Sequence, residues 1–172
     1  MKKIIFSFLA LWLIALSFSM SLHAQSSEQD LDQAELMKQF IGTWTTETGE
    51  DTTLIWEVIP SNKGYEVNAS WQAKGETYST TKGILGFAHS KQLVNWYHLW
   101  PSGGIARDLG KFVSDKKMIM ERYWVEPKHV TASAEFEFIA PDKYKAIFKW
   151  RGSSETWDDA VVTEYIYTRV KK

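Results

Sequence analysis

The chain has 172 residues, with 20 basic and 21 acidic side chains, a net charge of −1, 44% hydrophobic residues and nine tryptophans. It holds no cysteine, which excludes disulfides, thiolate nucleophiles and Cys-ligated metals. Near-neutral charge without a basic run excludes the electrostatic footprint of a nucleic-acid-binding protein.

Lys2 and Lys3 precede the apolar run Ile4 to Met20, followed by Leu22-His23-Ala24 and the polar Gln25-Ser26-Ser27. A positive start, an apolar stretch and a small residue before a polar one predict a secretory signal peptide over residues 1–24, cleaved after Ala24. The alternative is a retained anchor, since the run sits at the lower limit of a spanning helix. Cleavage implies a periplasmic or extracellular protein with no remaining membrane span. Loss of Lys2 and Lys3 takes the net charge from −1 to −3. Roughly 148 residues are left, the size of one domain. Residues 25–31 read as a polar linker and 32–172 as the folded domain.

Asp32 to Ile41 is the only helix-like stretch, with Leu36, Met37, Phe40 and Ile41 on one stripe. Asp30 or Asp32 is the candidate N-cap, and Gly42 the stop. From Thr43 onward the period changes to two. Tyr65, Val67, Ala69 and Trp71 alternate with Glu66, Asn68, Ser70 and Gln72. Ala132, Ala134, Phe136 and Phe138 alternate with Thr131, Ser133, Glu135 and Glu137, and Tyr144, Ala146, Phe148 and Trp150 repeat the pattern. Each such run has one wet and one buried face. Turns at Ser61-Asn62-Lys63-Gly64, Lys74-Gly75, Ser102-Gly103-Gly104, Ser114-Asp115 and Pro141-Asp142 leave no room for crossover helices. The prediction is an all-β fold: an up-and-down antiparallel β-barrel of about ten strands, preceded by one short helix. Closure removes the edges that so long a meander would otherwise expose.

Phe40-Ile41-Gly42-Thr43-Trp44 opens the first strand. It resembles the Gly-x-Trp signature of the lipocalin and calycin superfamily, whose Trp plugs the closed barrel end. That resemblance implies an Arg packed across Trp44 from the last strand, and Arg169, in phase with Tyr165 and Tyr167, is the match. Thr77 to Met120 is similar to small exported bacterial proteins of lipocalin-like fold, through Lys82-Gly83-Ile84-Leu85-Gly86-Phe87 and Val94-Asn95-Trp96-Tyr97-His98-Leu99-Trp100. The Thr-Asp-Tyr motif of lipocalins proper and the helical lid of fatty-acid-binding proteins are absent.

Trp71, Trp96, Trp100, Trp124, Tyr144, Phe148 and Trp150 are the candidate cavity walls; the alternative is a solidly filled barrel. Arg122 follows Met118 and Met120 on one strand face, and Arg107 lies between Ile105 and Leu109, so both are candidates to point inward. An inward Arg needs an anion, either a ligand head group or one of Glu57, Glu121 and Asp108. His89, His98 and His129 lack zinc-site spacing, and no metal or cofactor is expected. Haem-binding barrels are related to this fold, so His98, between Trp96 and Trp100, is the position for an axial ligand, with a core or rim histidine as the alternative. The acidic pair Asp158 and Asp159 reads as a solvated turn.

The leading expectation is a non-catalytic barrel that binds a small apolar or amphipathic ligand, with Arg122 or Arg107 meeting any acidic head group. A second is an interaction module that uses the Trp100-Pro101-Ser102-Gly103-Gly104 turn and Trp157 to contact protein or glycan. The third is a barrel enzyme with Glu57 and Glu164 paired inside. No nucleophile elbow or zinc-protease motif supports it. The sequence leaves the oligomeric state open.

Overall fold

The computed structural model describes residues 31–62, 64–124, 130–152 and 155–171. The predicted signal segment and most of the linker lie outside them, as does His129.

Asp32 caps a short helix, α1 (Gln33–Leu36), by accepting from the Glu35 N–H at 2.9 Å. This satisfies one of the helix's orphan donors. The helix tightens into a 3₁₀ turn, Met37–Phe40, and Ile41 leads the chain out in an extended conformation. The helical signal is therefore real but extends for only two short segments. Gln39, Ile41 and Gly42 then hand over to the barrel.

Ten antiparallel strands follow: β1 (Gly42–Gly49), β2 (Thr52–Ser61), β3 (Gly64–Ala73), β4 (Glu76–Ala88), β5 (Leu93–Leu99), β6 (Ile105–Phe112), β7 (Lys117–Trp124), β8 (Val130–Ala140), β9 (Lys143–Trp150) and β10 (Val161–Arg169). Each pairs with its neighbours in sequence, and β10 returns to β1 through Trp44↔Arg169 and Thr45↔Thr168. The ring is closed, so no strand edge remains to template aggregation. Inward parity follows the sequence pattern: Ala132, Ala134, Phe136 and Phe138 are buried, as are Tyr144, Ala146 and Phe148.

The direction of the strands gives the barrel two unlike ends. The start of β1 and β9 and the end of β10 lie with α1; the ends of β5, β7 and β9 lie opposite. At the α1 end aromatic rings pack the interior, and an open recess of about 430 Å³ lies beside them between Gln39, Phe138 and Arg169. Phe40 packs against Phe138 at 4.9 Å, Phe136 at 5.6 Å and Tyr144 at 5.8 Å, each edge-on. Tyr144 stacks on Tyr167 at 4.6 Å and meets Trp44 at 4.7 Å. Edge-on and offset rings add about 0.5–1.5 kcal/mol per pair to the burial itself.

Polar groups lock the plug in place. Gln33 Nε2 donates to the Phe112 carbonyl at 3.0 Å, and its Oε1 accepts from the Phe112 N–H at 2.7 Å. The side-chain amide thus acts as one more rung of the sheet. The 3₁₀ turn leaves carbonyls without helical partners. Trp44 Nε1 donates to Phe40 at 2.7 Å, Arg169 Nη1 to Ile41 at 2.7 Å and Arg169 Nη2 to Gln39 at 2.9 Å. The same guanidinium lies 4.3 Å from the Trp44 ring. Gly42 has φ +122°, a conformation side chains rarely adopt, and a Cβ there would meet the Arg169 Nη1 at 3.5 Å. Gly42, Trp44 and Arg169 thus act as one joint between helix and barrel.

Candidate functional site

The opposite half of the barrel is hollow. A partly enclosed cavity of about 170 Å³ lies among β1 to β5, β7, β9 and β10. Leu54, Val67, Ala69 and Phe148 supply its aliphatic and phenyl surface, while Trp56, Trp71, Trp96, Trp100 and Trp150 supply indole surface. Tyr165 and Tyr167 complete the side nearest the aromatic plug. Gly83 also faces this space. A Cβ on it would fall 2.5 Å from the Tyr97 carbonyl oxygen and 3.1 Å from Trp96 Nε1. Only a hydrogen fits, and the room is taken by the Trp96 ring.

Among the expected site residues, Trp71, Trp96, His98, Trp100, Arg122, Phe148 and Trp150 come together on this cavity. Three others are placed elsewhere. Tyr144 is fully buried in the plug, below the cavity. Trp124 stands beside Trp100 at the rim, 6.5 Å between rings. Arg107 lies on the outer face: β6 turns Ala106, Asp108 and Phe112 inward, and Ile105 is itself exposed. Its Nε donates to Asn95 Oδ1 at 3.1 Å, and its guanidinium lies 5.3 Å from Tyr97. Apolar neighbours on the outside of a strand misdirect a parity argument. Glu57 and Glu164 are exposed on the outer face, so no inward carboxylate pair forms from them. Trp56, Tyr165 and Tyr167 are wall residues absent from the expected set.

The cavity's polar corner is a three-residue network. Asp108 lies opposite Arg122 in the β6–β7 register and opposite Trp96 in the β5–β6 register. Arg122 grips it with both arms of the fork, Nε to Oδ1 at 2.8 Å and Nη2 to Oδ2 at 2.8 Å. His98 Nε2 lies 2.9 Å from the same Oδ2 and 3.3 Å from Arg122 Nη2. Burial would push the Asp108 carboxyl up, but the Arg122 and His98 hydrogen bonds outweigh it and hold the carboxyl below its ordinary value. Burial holds the His98 imidazole below its ordinary value, against the pull of Asp108. With Asp108 ionised and His98 neutral, the network assigns the imidazole proton to Nε2, which donates to Asp108. Arg122 and Asp108 cancel, so the corner is polar without net charge. The Arg122 guanidinium also lies 5.1 Å from the Trp150 ring and 5.7 Å from Trp100, on the approach to the cavity.

His98 is stacked on Trp96 at 4.8 Å. Its Nε2 is committed to Asp108, and the cavity beside it holds about 170 Å³. No cluster of three potential metal ligands occurs among the described residues. Asp159 accepts from Thr156 at 2.7 Å within its own turn. Trp157 is exposed and covered on one side by Arg151 at 4.8 Å.

No protein-family model matches this chain, and a search of curated proteins finds no significant relative.

Proposed function

We propose that this protein is an exported, calycin-like barrel that binds a small apolar or amphipathic molecule in the hollow half of its interior. The observation that carries the reading is the division of the barrel: one half is packed with rings, while the other keeps about 170 Å³ between indole walls. An apolar space of about 150 Å³ is enough to take up benzene, so one aromatic ring fits here with room for a substituent. The Gly42–Trp44–Arg169 joint supports the calycin-like part of the proposal. Arg107 has no part in it.

The test is titration with iodobenzene, a small apolar heavy-atom quencher, while Trp emission is followed. Saturable quenching with one site per chain is expected, because five indoles line the space. In Phe148→Ala the affinity should change at matched fraction folded, with a stability loss of about 3–5 kcal/mol. Quenching that grows linearly without saturation would mean a barrel closed to small molecules. Native mass spectrometry of protein purified from its own host would show whether a molecule travels with it. For export, N-terminal sequencing of the secreted protein should begin at or near Gln25; intact Met1 in a membrane fraction would defeat that part.

A further inference from the structure

The polar corner does not use up its own hydrogen-bonding capacity. Arg122 gives Nε and Nη2 to Asp108, and its Nη1 has no partner among the described residues. His98 gives Nε2 to Asp108, and its Nδ1 likewise has none among them. Both side chains belong to residues only 8% exposed, yet neither free nitrogen is sealed in. The polar atoms of Trp56, Trp96 and Tyr167 are closed off by their neighbours, whereas these two keep accessible surface. Arg122 and His98 stand at buried, inward positions of β7 and β5. In a closed barrel such a side chain can be reached only through the interior and its mouth, and both residues line the cavity.

The two nitrogens have opposite roles. Arg122 Nη1 can only donate. With its proton on Nε2, the imidazole presents a lone pair at Nδ1 and accepts there. The charges of Arg122 and Asp108 cancel. A carboxylate placed against them would therefore leave one negative charge unbalanced unless His98 took up a proton, and burial opposes that proton. An ammonium would face the Arg122 guanidinium, which also covers Trp100 and Trp150. A wholly apolar end would displace water from both nitrogens and put nothing in its place, which is costly for buried polar groups.

Resting on the binding reading above, we propose that this corner is the head-group subsite of the cavity and takes an uncharged carboxamide-type group. Its carbonyl oxygen accepts from Arg122 Nη1, and its N–H donates to His98 Nδ1. The apolar body of the molecule lies against Leu54, Val67, Phe148 and the indole walls. Asp108 is a positioning residue: it holds the guanidinium and the imidazole, and so fixes which free nitrogen donates and which accepts.

Four molecules of similar size separate the contributions: benzamide (acceptor and donor), acetophenone (acceptor alone), ethylbenzene (neither) and benzoate (anion). Binding to the purified protein is measured by calorimetry at pH 7.5. The four differ in their own hydration, so the readout is a ratio of affinities in the wild type set against the same ratio in a variant. His98→Phe keeps a ring and removes the lone pair, and should lower the benzamide-to-acetophenone ratio about fivefold. Asp108→Asn with Arg122→Met removes the donor together with its counter-charge, and should lower the acetophenone-to-ethylbenzene ratio about tenfold. Ethylbenzene should stay bound in both. If either protein fails to fold, the nitrogen-15 resonance of His98 Nδ1 in the wild type decides. It should lie at the hydrogen-bonded position in the benzamide complex and away from it in the ethylbenzene complex. Unchanged ratios in folded variants, or equal resonances in the two complexes, overturn the subsite and leave the binding reading standing. Benzoate binding tighter than benzamide overturns the uncharged head group in the same way. Failure of all four to bind sinks the binding reading and this inference together.

Discussion

Replacing Arg169 with alanine removes three interactions at one stroke, and each has a magnitude. The part-exposed guanidinium, 4.3 Å from the fully buried Trp44 ring, is worth about 1 kcal/mol. Its hydrogen bonds to the Ile41 and Gln39 carbonyls are charge-assisted, but water reaches this joint once the side chain is cut back, so each contributes a net of about 1 kcal/mol. The sum is roughly 3 kcal/mol. At about 2–4 °C per kcal/mol for a domain of this size, Tm should fall by about 6–12 °C. Urea unfolding followed by Trp emission should show the midpoint lowered by about 1.5 M at a slope of about 2 kcal/mol/M. The slope should not change, because the plug stays buried. Arg169→Lys keeps the charge over Trp44 but cannot fork to two carbonyls, and should lose about half as much. A loss below about 1 kcal/mol for Arg169→Ala, or a lysine variant as stable as the parent, would refute the joint as described.

Three further outcomes follow from other contacts. Gln33→Ala breaks both hydrogen bonds to Phe112 and strands a buried N–H and C=O, so it should destabilise by about 2–4 kcal/mol in the same urea assay; a neutral result would show that the helix is not pinned to β6. Asp108→Asn leaves Arg122 buried without its anion and should cost about 3–5 kcal/mol, whereas the double change with Arg122→Met should recover most of that loss. A double variant as unstable as the single one would count against the charge cancellation. His98 is held below the ordinary histidine value by burial, so between those two values the unfolded chain binds a proton that the folded one does not. Stability from this group is therefore full above about pH 6.5 and declines as pH falls below it. Asp108, held low, adds a further loss as pH falls below the ordinary carboxyl range and through its own folded value. Urea midpoints should drop between pH 6.5 and 5, and His98→Gln should flatten that part of the curve; equal slopes would remove His98 from the account.

The strands were legible because their two faces differ. In β9, Tyr144, Ala146 and Phe148 are buried while Lys143 and Lys149 are exposed, and one reading of the period suffices. β2 defeats the same method. Its outer residues Ile55 and Ile59 are as apolar as the inward Leu54 and Val58, so the parity of Trp56 carries no contrast, and a central wall residue goes unnoticed. Arg107 fails for the mirror-image reason, since Ile105 and Leu109 make an outer face look like an inner one. Tyr144 and Phe148 share a face and a strand, yet one belongs to the plug and the other to the cavity. Height along the barrel axis separates them, and that depends on where α1 inserts, which no single strand records. The partner of Arg122 was among three candidates in the sequence; the β6–β7 register alone selects Asp108.

The two halves of the interior differ in packing: rings fill the plug half, and the other half keeps a cavity. Around the plug, the donors and acceptors of the helix end are answered: Gln33 by Phe112, the Phe40 carbonyl by Trp44, and the Ile41 and Gln39 carbonyls by Arg169. Around the cavity, indole donors are buried and unanswered beside space that a larger side chain could fill. Leaving one such donor unpaired costs about 1–3 kcal/mol. Filling the space by enlarging Ala69 or Val67 would add buried apolar area at about 25 cal/mol per Å². A barrel shaped only for stability would resemble its plug throughout. The Tyr144 hydroxyl and Arg169 Nε at the plug also lack partners, so what sets the cavity half apart is unfilled apolar space beside a well-packed remainder, and such departures are where binding sites occur. Solid packing below also makes the hollow affordable in structural terms, because walls anchored to a rigid floor do not collapse into the space. The Arg122–Asp108–His98 corner serves the same end, tying β5, β6 and β7 together beside the cavity while adding no net charge to it.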